Sequence, residues 1–355
     1  GVIPQITAVF GTCGGGMAVS AGMADFTFME DTSAKLFVNS PNALEGNYKA
    51  KCDTAAAAFQ SKESGVVDFT GDEASILSQI RTLVSILPAN NEEDLSEEDC
   101  QDDLNRMCSG IEGLAGDPIQ VLSMISDNHF VMEVKKDYEP SMVTAFIRLN
   151  GVTVGCVANR TERYEDGKKA DEFEAALSGK GCDKAVELIS FCDAFSIPLL
   201  TLTNVNGYKA KMCSERRIAR AAARLTYAYA DATVPKVTVV TGKALGSAGL
   251  TMGSKSLGTD LVYAWPNAVI GTMEPEAAVK IMYAKEIEAS DDAVALISEK
   301  TAEYTKTQSG AVAAARRGYA DDIIKAEETR QRLAAAFDML YTKSEDRPSK
   351  KHGTV

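Results

Sequence analysis

Residues 3–18, IPQITAVFGTCGGGMA, and residues 234–249, VPKVTVVTGKALGSAG, are two copies of one pattern. Pro4 matches Pro235, Thr7 matches Thr238, Gly11 matches Gly242 and Gly15 matches Gly246. The match continues from ADFTF to TDLVY, with four extra residues in the second copy, and sets Asp25 opposite Asp260. In each copy a β-branched run predicts a strand, the glycines a turn, the small residues a short helix, and the next apolar run a second strand. Repetition of this kind signals a duplicated structural unit. Strand, turn, helix and strand twice over predict an α/β fold with crossover connections.

Working outward, residues 74–88 carry a helical apolar spacing that stops at Pro88. The stretch NNEEDLSEEDCQDDLNR (90–106) is acidic and polar, and reads as an exposed connection near 90–110. It divides the chain into an N-terminal domain, 1–110, and a C-terminal domain, 111–355. MVTAFIRLNGVTVGCVAN (142–159) predicts a hairpin turning at Asn150-Gly151. Helices are expected over 182–195, 214–230 and 323–340, and strands over 198–203 and 236–241, before the basic tail SKKHGTV.

Composition narrows the chemistry. The 37 basic and 50 acidic residues give a net charge of −13, which argues against a nucleic-acid partner. Eight cysteines lie scattered with no CxxC pair, so no metal site is expected and reduced thiols in a cytoplasmic protein are. No apolar run is long enough to span a bilayer, which leaves at most a peripheral place in a membrane complex. With two histidines, His129 and His352, a Ser-His-Asp or histidine-metal site is close to excluded.

The duplicated turns are the remaining candidates. Small residues let a ligand approach the backbone, and the following helix directs free N–H groups and its positive dipole end at that ligand. Two adjacent donors make an oxyanion hole, which stabilises charge developing on a thioester oxygen. Tight packing of strand on helix would explain one such turn; it does not require both. Neither turn fits the dinucleotide or P-loop glycine spacings.

The residues then resemble a known family. GTCGGGMAVSAGMADF (11–26), LPANNEE (87–93), FCDAFSIPLLTL (191–202), TYAYADATVPKVTVVTGKALGSAG (226–249), DLVYAWPNAVIGTM (260–273) and EDRPSKKHGTV (345–355) are similar to segments of biotin-dependent carboxyltransferases. These are the acyl-CoA carboxylase β-type and sodium-pump decarboxylase α-type subunits. The resemblance implies a duplicated crotonase-like (ClpP/crotonase) β-β-α superhelix with two related domains. It implies carboxyl transfer between biotin on a partner carrier protein and the α-carbon of a short acyl coenzyme A ester. One oxyanion hole would hold the thioester enolate and the other the ureido carbonyl of biotin. They map to the backbones of Gly15-Gly16 and Ser247-Ala248, with Gly14, Gly246 and Leu250 against substrate and Leu250 in the acyl pocket. A biotin carboxylase or a membrane decarboxylase subunit is the implied further partner, and a hexamer the implied assembly, its sites set between the N-half of one subunit and the C-half of another.

Three departures from the family pattern stand out: Ala55-Ala56-Ala57 with Gln60 ahead of Ser64-Gly65; NVNGYKAKMCSE (204–215) in place of DVPGFLPG; and an expected further N-terminal portion that would carry much of the coenzyme A site. They keep open a second reading, a non-catalytic structural paralogue within a carboxylase or decarboxylase assembly. A crotonase-like hydratase would want paired glutamates beside the hole, and none stands at the matching positions. Ser247 has no motif-placed base to make it a nucleophile. Arg217, Arg220 and Arg224, at helical spacing, could meet coenzyme A phosphates or an acidic carrier, against the simpler reading of a solvated face. Trp265 reads as structural ahead of any stacking on biotin.

Overall fold

The computed structural model describes residues 1–93, 99–165 and 167–348. The basic tail from Ser349, with His352, and residues 94–98 of the acidic stretch lie outside the described residues.

The two copies fold alike, down to single hydrogen bonds. Strand Ile6–Val9 pairs in parallel with Phe26–Glu30, Ile6 opposite Phe26; strand Lys236–Leu245 pairs in parallel with Leu261–Ala264, Val237 opposite Leu261. Between them run the short helices Gly16–Ala21 and Gly246–Thr251. The matched aspartates do one job twice. Asp25 Oδ2 accepts from the Gln5 N–H at 2.7 Å, and Asp260 Oδ2 accepts from the Lys236 N–H at 2.8 Å. The Asp25 N–H returns a bond to the Gln5 carbonyl at 2.9 Å, as the Asp260 N–H does to Lys236 at 3.0 Å.

Among the described residues the second copy forms one side of an eight-stranded sheet. Its order runs Asp322–Ile323, Leu261–Ala264, Lys236–Leu245, Leu199–Val205, Val152–Asn159, Met142–Leu149, Val131–Val134, with Val269–Gly271 also paired to Lys236–Leu245. The strands that flank Leu199–Val205 are parallel to it and buried on both faces, which is why they read as continuous apolar runs without alternation. The hairpin at Asn150-Gly151 forms as expected, both residues taking positive φ of 53° and 79°. The first copy lies in a three-stranded parallel sheet with Phe69–Gly71.

The two sheets share apolar packing. Phe26, Phe28, Ile76 and Leu83 belong to the same buried cluster as Phe146, Leu188, Phe191 and Leu225, with Phe26 edge-on to Phe191 at 4.9 Å. Helix Glu73–Ile86 supplies Ile76 and Leu83 from one face, and Asp72 caps it by accepting from the Ser75 N–H at 2.7 Å.

Two predicted helices are shorter than expected. The segment 214–230 breaks in two, Met212–Glu215 and Ile218–Asp231, because Arg217 takes φ −139° and starts the second helix from outside it. The last helix is Thr329–Leu340. Ahead of it Asp322–Ile323 joins the sheet edge and Ile324 is buried, a use of β-branched residues that the amphipathic spacing did not separate from helix.

Candidate active site

Each turn is built on a left-handed glycine. Gly15 has φ +60° and Gly246 has φ +58°, so an L side chain at either would strain the backbone. Each follows a second parallel contact: Thr12–Gly14 with Lys35–Phe37, and the end of Lys236–Leu245 with Val269–Gly271. The structural match sets Gly16 opposite Ser247 and Met17 opposite Ala248.

Helix starts leave N–H groups without intrahelical acceptors. In the first turn the Gly15 N–H is already used, donating to the Phe37 carbonyl at 2.9 Å. Among the described residues no carbonyl accepts from Gly16 or Met17, nor from Ser247 or Ala248. The first turn lies open, with Gly16 exposed and Met17 69% exposed. Gly14, by contrast, is pressed against the Phe37 ring, 3.0 Å from where a Cβ would stand. In the second turn Ser247 is exposed and Ala248 is buried.

The second turn opens on a cleft of about 550 Å³ that includes Gly246, Ser247 and Leu250. Leu250 is half exposed and faces this space with Val240, Val262, Ile270 and Met252. The cleft's lining comes from residues 203–319, so within one chain it contains nothing of the first turn. The helix beneath is braced from three sides. Thr251 Oγ1 donates to the Ser247 carbonyl at 2.9 Å, and lies 3.2 Å from the Tyr208 hydroxyl and 3.3 Å from Thr226 Oγ1. Gly249 fits because only a glycine can: a Cβ there would lie 2.5 Å from the Ala244 carbonyl carbon.

Tyr208 belongs to the departing segment 204–215, which is thus integrated with the second turn. Asn204 Oδ1 accepts from the Lys243 N–H at 3.1 Å, across to the neighbouring strand that leads into the turn. The other departure is equally tied in: Gln60 Nε2 donates to the Leu36 and Thr54 carbonyls at 3.0 and 2.7 Å, beside buried Ala55 and Ala57. Trp265 is fully buried, donating to Thr329 Oγ1 at 3.1 Å, which makes it structural. Arg217 and Arg224 both bind Asp183, at 2.6 and 3.3 Å. His129 is held by the Ser123 carbonyl at 2.9 Å and does not line the cleft.

The sequence reading missed Tyr304, Gln308, Arg317 and Tyr319, which close the cleft. They come from the helical segment after the second copy. No glycine turn or repeat marks them, because tertiary packing alone brings them there.

Geometry of this kind has close relatives. The carboxyl transferase domain matches residues 1–355. The chain belongs to the carboxyl transferase family, a family of biotin-dependent enzymes. It is 38% identical to the methylmalonyl-CoA decarboxylase subunit alpha of Propionigenium modestum, over 100% of this chain and 69% of that protein. It is 37% identical to the propionyl-CoA carboxylase carboxyltransferase subunit of Haloferax mediterranei, over 100% of this chain and 69% of that one. Among solved structures it is similar to the transcarboxylase 12S hexamer with methylmalonyl-coenzyme A bound. The TM-score is 0.88 at 36% identity, covering 99% of this chain and 68% of that chain. The duplicated crotonase-like fold of this family is the one described above. Among the described residues no helix is long and apolar enough to cross a membrane.

Proposed function

We propose that this carboxyltransferase moves a carboxyl group between biotin, carried on a partner protein, and the α-carbon of a short acyl-CoA. The observation that carries the reading is the second turn: two successive N–H groups without acceptors, the first on Ser247 in the lining of a cleft with an apolar wall. Donors fixed before reaction stabilise an enolate oxygen without reorganisation, which suits a site with no histidine in its lining. Ser247 and Ala248 hold the thioester oxygen, Gly246 sets the turn, and Leu250 packs on the acyl chain.

The first turn supplies the second hole. Its donor set, backbone N–H groups and no charged side chain, fits a neutral ureido carbonyl. Gly15 acts as the left-handed pivot, Gly14 as the packed residue before it, and Gly16 with Met17 as donors, one residue on from the pair expected by sequence. Biotin held there by the Gly16 and Met17 N–H groups would supply its N1 as the donor or acceptor of the carboxyl group. Since the cleft of one chain lacks the first turn, two subunits complete each site, in a hexamer like that of the transcarboxylase 12S neighbour. Exposed Met17, Val19 and Met23 around the first turn support a covered surface there. A biotin carboxylase or a membrane decarboxylase subunit completes the assembly at a cytoplasmic site, and the chain divides into related N- and C-terminal domains near residue 110.

The test is carboxyl transfer by the full-length protein, with free biotin or a biotinylated carrier and a panel of malonyl-type CoA esters. Gly16→Leu fills the first hole and should abolish turnover while leaving the melting temperature unchanged. No turnover by the unaltered protein across the panel, or full turnover by Gly16→Leu, overturns the assignment.

A further inference from the structure

Tyr208 and Thr251 stand behind the second turn, and neither lines its cleft. Tyr208 ends the short strand Gly207–Tyr208, which pairs in parallel with Ala176–Leu177. The Lys209 N–H closes this pairing by donating to the Leu177 carbonyl at 2.9 Å. The Tyr208 side chain packs on the buried cluster that contains Leu225 and Ala248, which holds its hydroxyl against Thr251. In the family pattern DVPGFLPG the fifth residue is phenylalanine. Here it is tyrosine, and the added hydroxyl is the atom that reaches Thr251.

The hydrogens of this cluster can be counted, because a hydroxyl has one to donate. Thr226 commits its own to the Ala222 carbonyl at 2.9 Å, and Thr251 commits its own to the Ser247 carbonyl at 2.9 Å. The hydrogen in the 3.2 Å contact between Tyr208 and Thr251 therefore belongs to Tyr208. The 3.3 Å approach of Thr226 to Thr251 contains none. A directed relay results: Tyr208 O–H donates to Thr251, and Thr251 O–H donates to the Ser247 carbonyl.

The relay ends on the peptide that bears a donor of the hole. The Ser247 carbonyl and the Ala248 N–H are the two ends of one planar trans unit and point in opposite directions. Fixing the oxygen fixes the direction of the N–H. Hydrogen bonds in series polarise one another, so a carbonyl that accepts makes its amide N–H the stronger donor. Thr251 and Ala248 are both buried, so water does not compete for these groups. A threonine that bonds back to the carbonyl four residues earlier is a common local habit of helices. The second donor behind it, brought from a different strand, is not.

We propose that Thr251 and Tyr208 are positioning residues for carboxyl transfer, which aim and polarise the Ala248 N–H through the Ser247 carbonyl. The assignment rests on the reading of the second turn as an oxyanion hole and adds the residues that act behind it. A donor strengthened in this way favours the enolate over the thioester, because full negative charge develops on that oxygen only during reaction.

The experiment is steady-state transfer by the full-length protein, with free biotin and whichever malonyl-type ester it turns over fastest. Tyr208→Phe should lower kcat about 3- to 10-fold and Thr251→Val about 10- to 30-fold, both less than the roughly 100- to 1,000-fold cost of deleting a donor outright. KM for the ester should stay unchanged, since the loss falls on the transition state. Thr251→Ser keeps the hydroxyl and should retain most of kcat. Thr226→Val, nearly as close to Thr251 but outside the relay, should turn over as the parent does. Melting temperatures serve as the folding control. If Thr251→Val melts early, Tyr208→Phe and Thr251→Ser carry the test, since the first restores the residue of the family pattern. Parental kcat in Tyr208→Phe overturns the proposal, as does a rise in KM with kcat unchanged. Equal losses in Thr226→Val and Tyr208→Phe overturn it too, by assigning all three hydroxyls to helix packing alone. If the unaltered protein transfers nothing, the carboxyltransferase reading falls, and the proposal with it. If it transfers and Tyr208 is indifferent, only the proposal falls.

Discussion

Gly249→Ala adds one methyl group at the point where the second-turn helix crosses its own strand. The new Cβ would stand 2.5 Å from the Ala244 carbonyl carbon, 2.9 Å from its oxygen and 3.0 Å from its Cα. Carbon atoms in contact prefer about 3.5–4.0 Å, so strand and helix must separate by about 1 Å. Overpacking costs about 1–3 kcal/mol, and the high end applies because the obstacle is backbone that cannot rotate away. About 3 kcal/mol should lower the melting temperature by roughly 4 °C in a protein of this size. Catalysis should suffer more. A shift of 1 Å at Ser247 and Ala248 misplaces both donors, and misplacement of that size costs about 100-fold in rate. Calorimetry and the transfer assay read the two effects separately. Gly113→Ala is the control, since a Cβ there meets nothing within 4 Å and the residue lies in neither turn. A Gly249→Ala protein that melts within about 1 °C of the parent and turns over normally would refute the reasoning, because the close approach would then carry no constraint.

Two further outcomes are expected. Asp25→Ala removes one acceptor, for the Gln5 N–H, whereas Asp260→Ala removes the acceptor of both the Lys236 N–H and Lys343 Nζ at 2.9 Å. Denaturant unfolding should show losses of about 1 and about 2–3 kcal/mol in that order, and equal losses would deny the extra lysine contact its weight. Asp68 is buried and its carboxyl is pushed up to about 7 from 3.8, chiefly by desolvation, with Lys135 at 3.8 Å opposing the shift and Glu187 adding to it. Because the folded value is the higher one, its contribution is full below pH 3.8 and is lost as pH rises through 7. The ceiling is on the order of 4 kcal/mol. Lys184, held down to about 7 by burial, has the opposite sign: its contribution is full above 10.5 and is lost as pH falls through 7. Asp68→Asn should therefore flatten the decline in stability between pH 4 and pH 7, read by denaturant unfolding across that range, and a decline as steep as the parent's would show that Asp68 is not its source.

The duplicated pattern is local, and the sequence carried it without help. Proline, glycine and aspartate have positional requirements that survive in the text: Gly15 and Gly246 are needed for a left-handed turn, and Asp25 and Asp260 for one backbone N–H each. The same locality made the hairpin at Asn150-Gly151 legible. Helix ends were less so, because Ile323 and Ile324 serve a strand edge and an amphipathic spacing equally well.

What only the tertiary structure decided is which groups meet. The Gly15 N–H is spent on Phe37, twenty-two positions on, a contact created by the parallel pairing of two three-residue strands and invisible in either one. Gln308 and Arg317 reach the second turn through one bridge at Gly310. The motif therefore announced where a negative oxygen can be held. The groups that close the cleft around it depend on contacts between distant segments, which packing sets and no short stretch of sequence encodes.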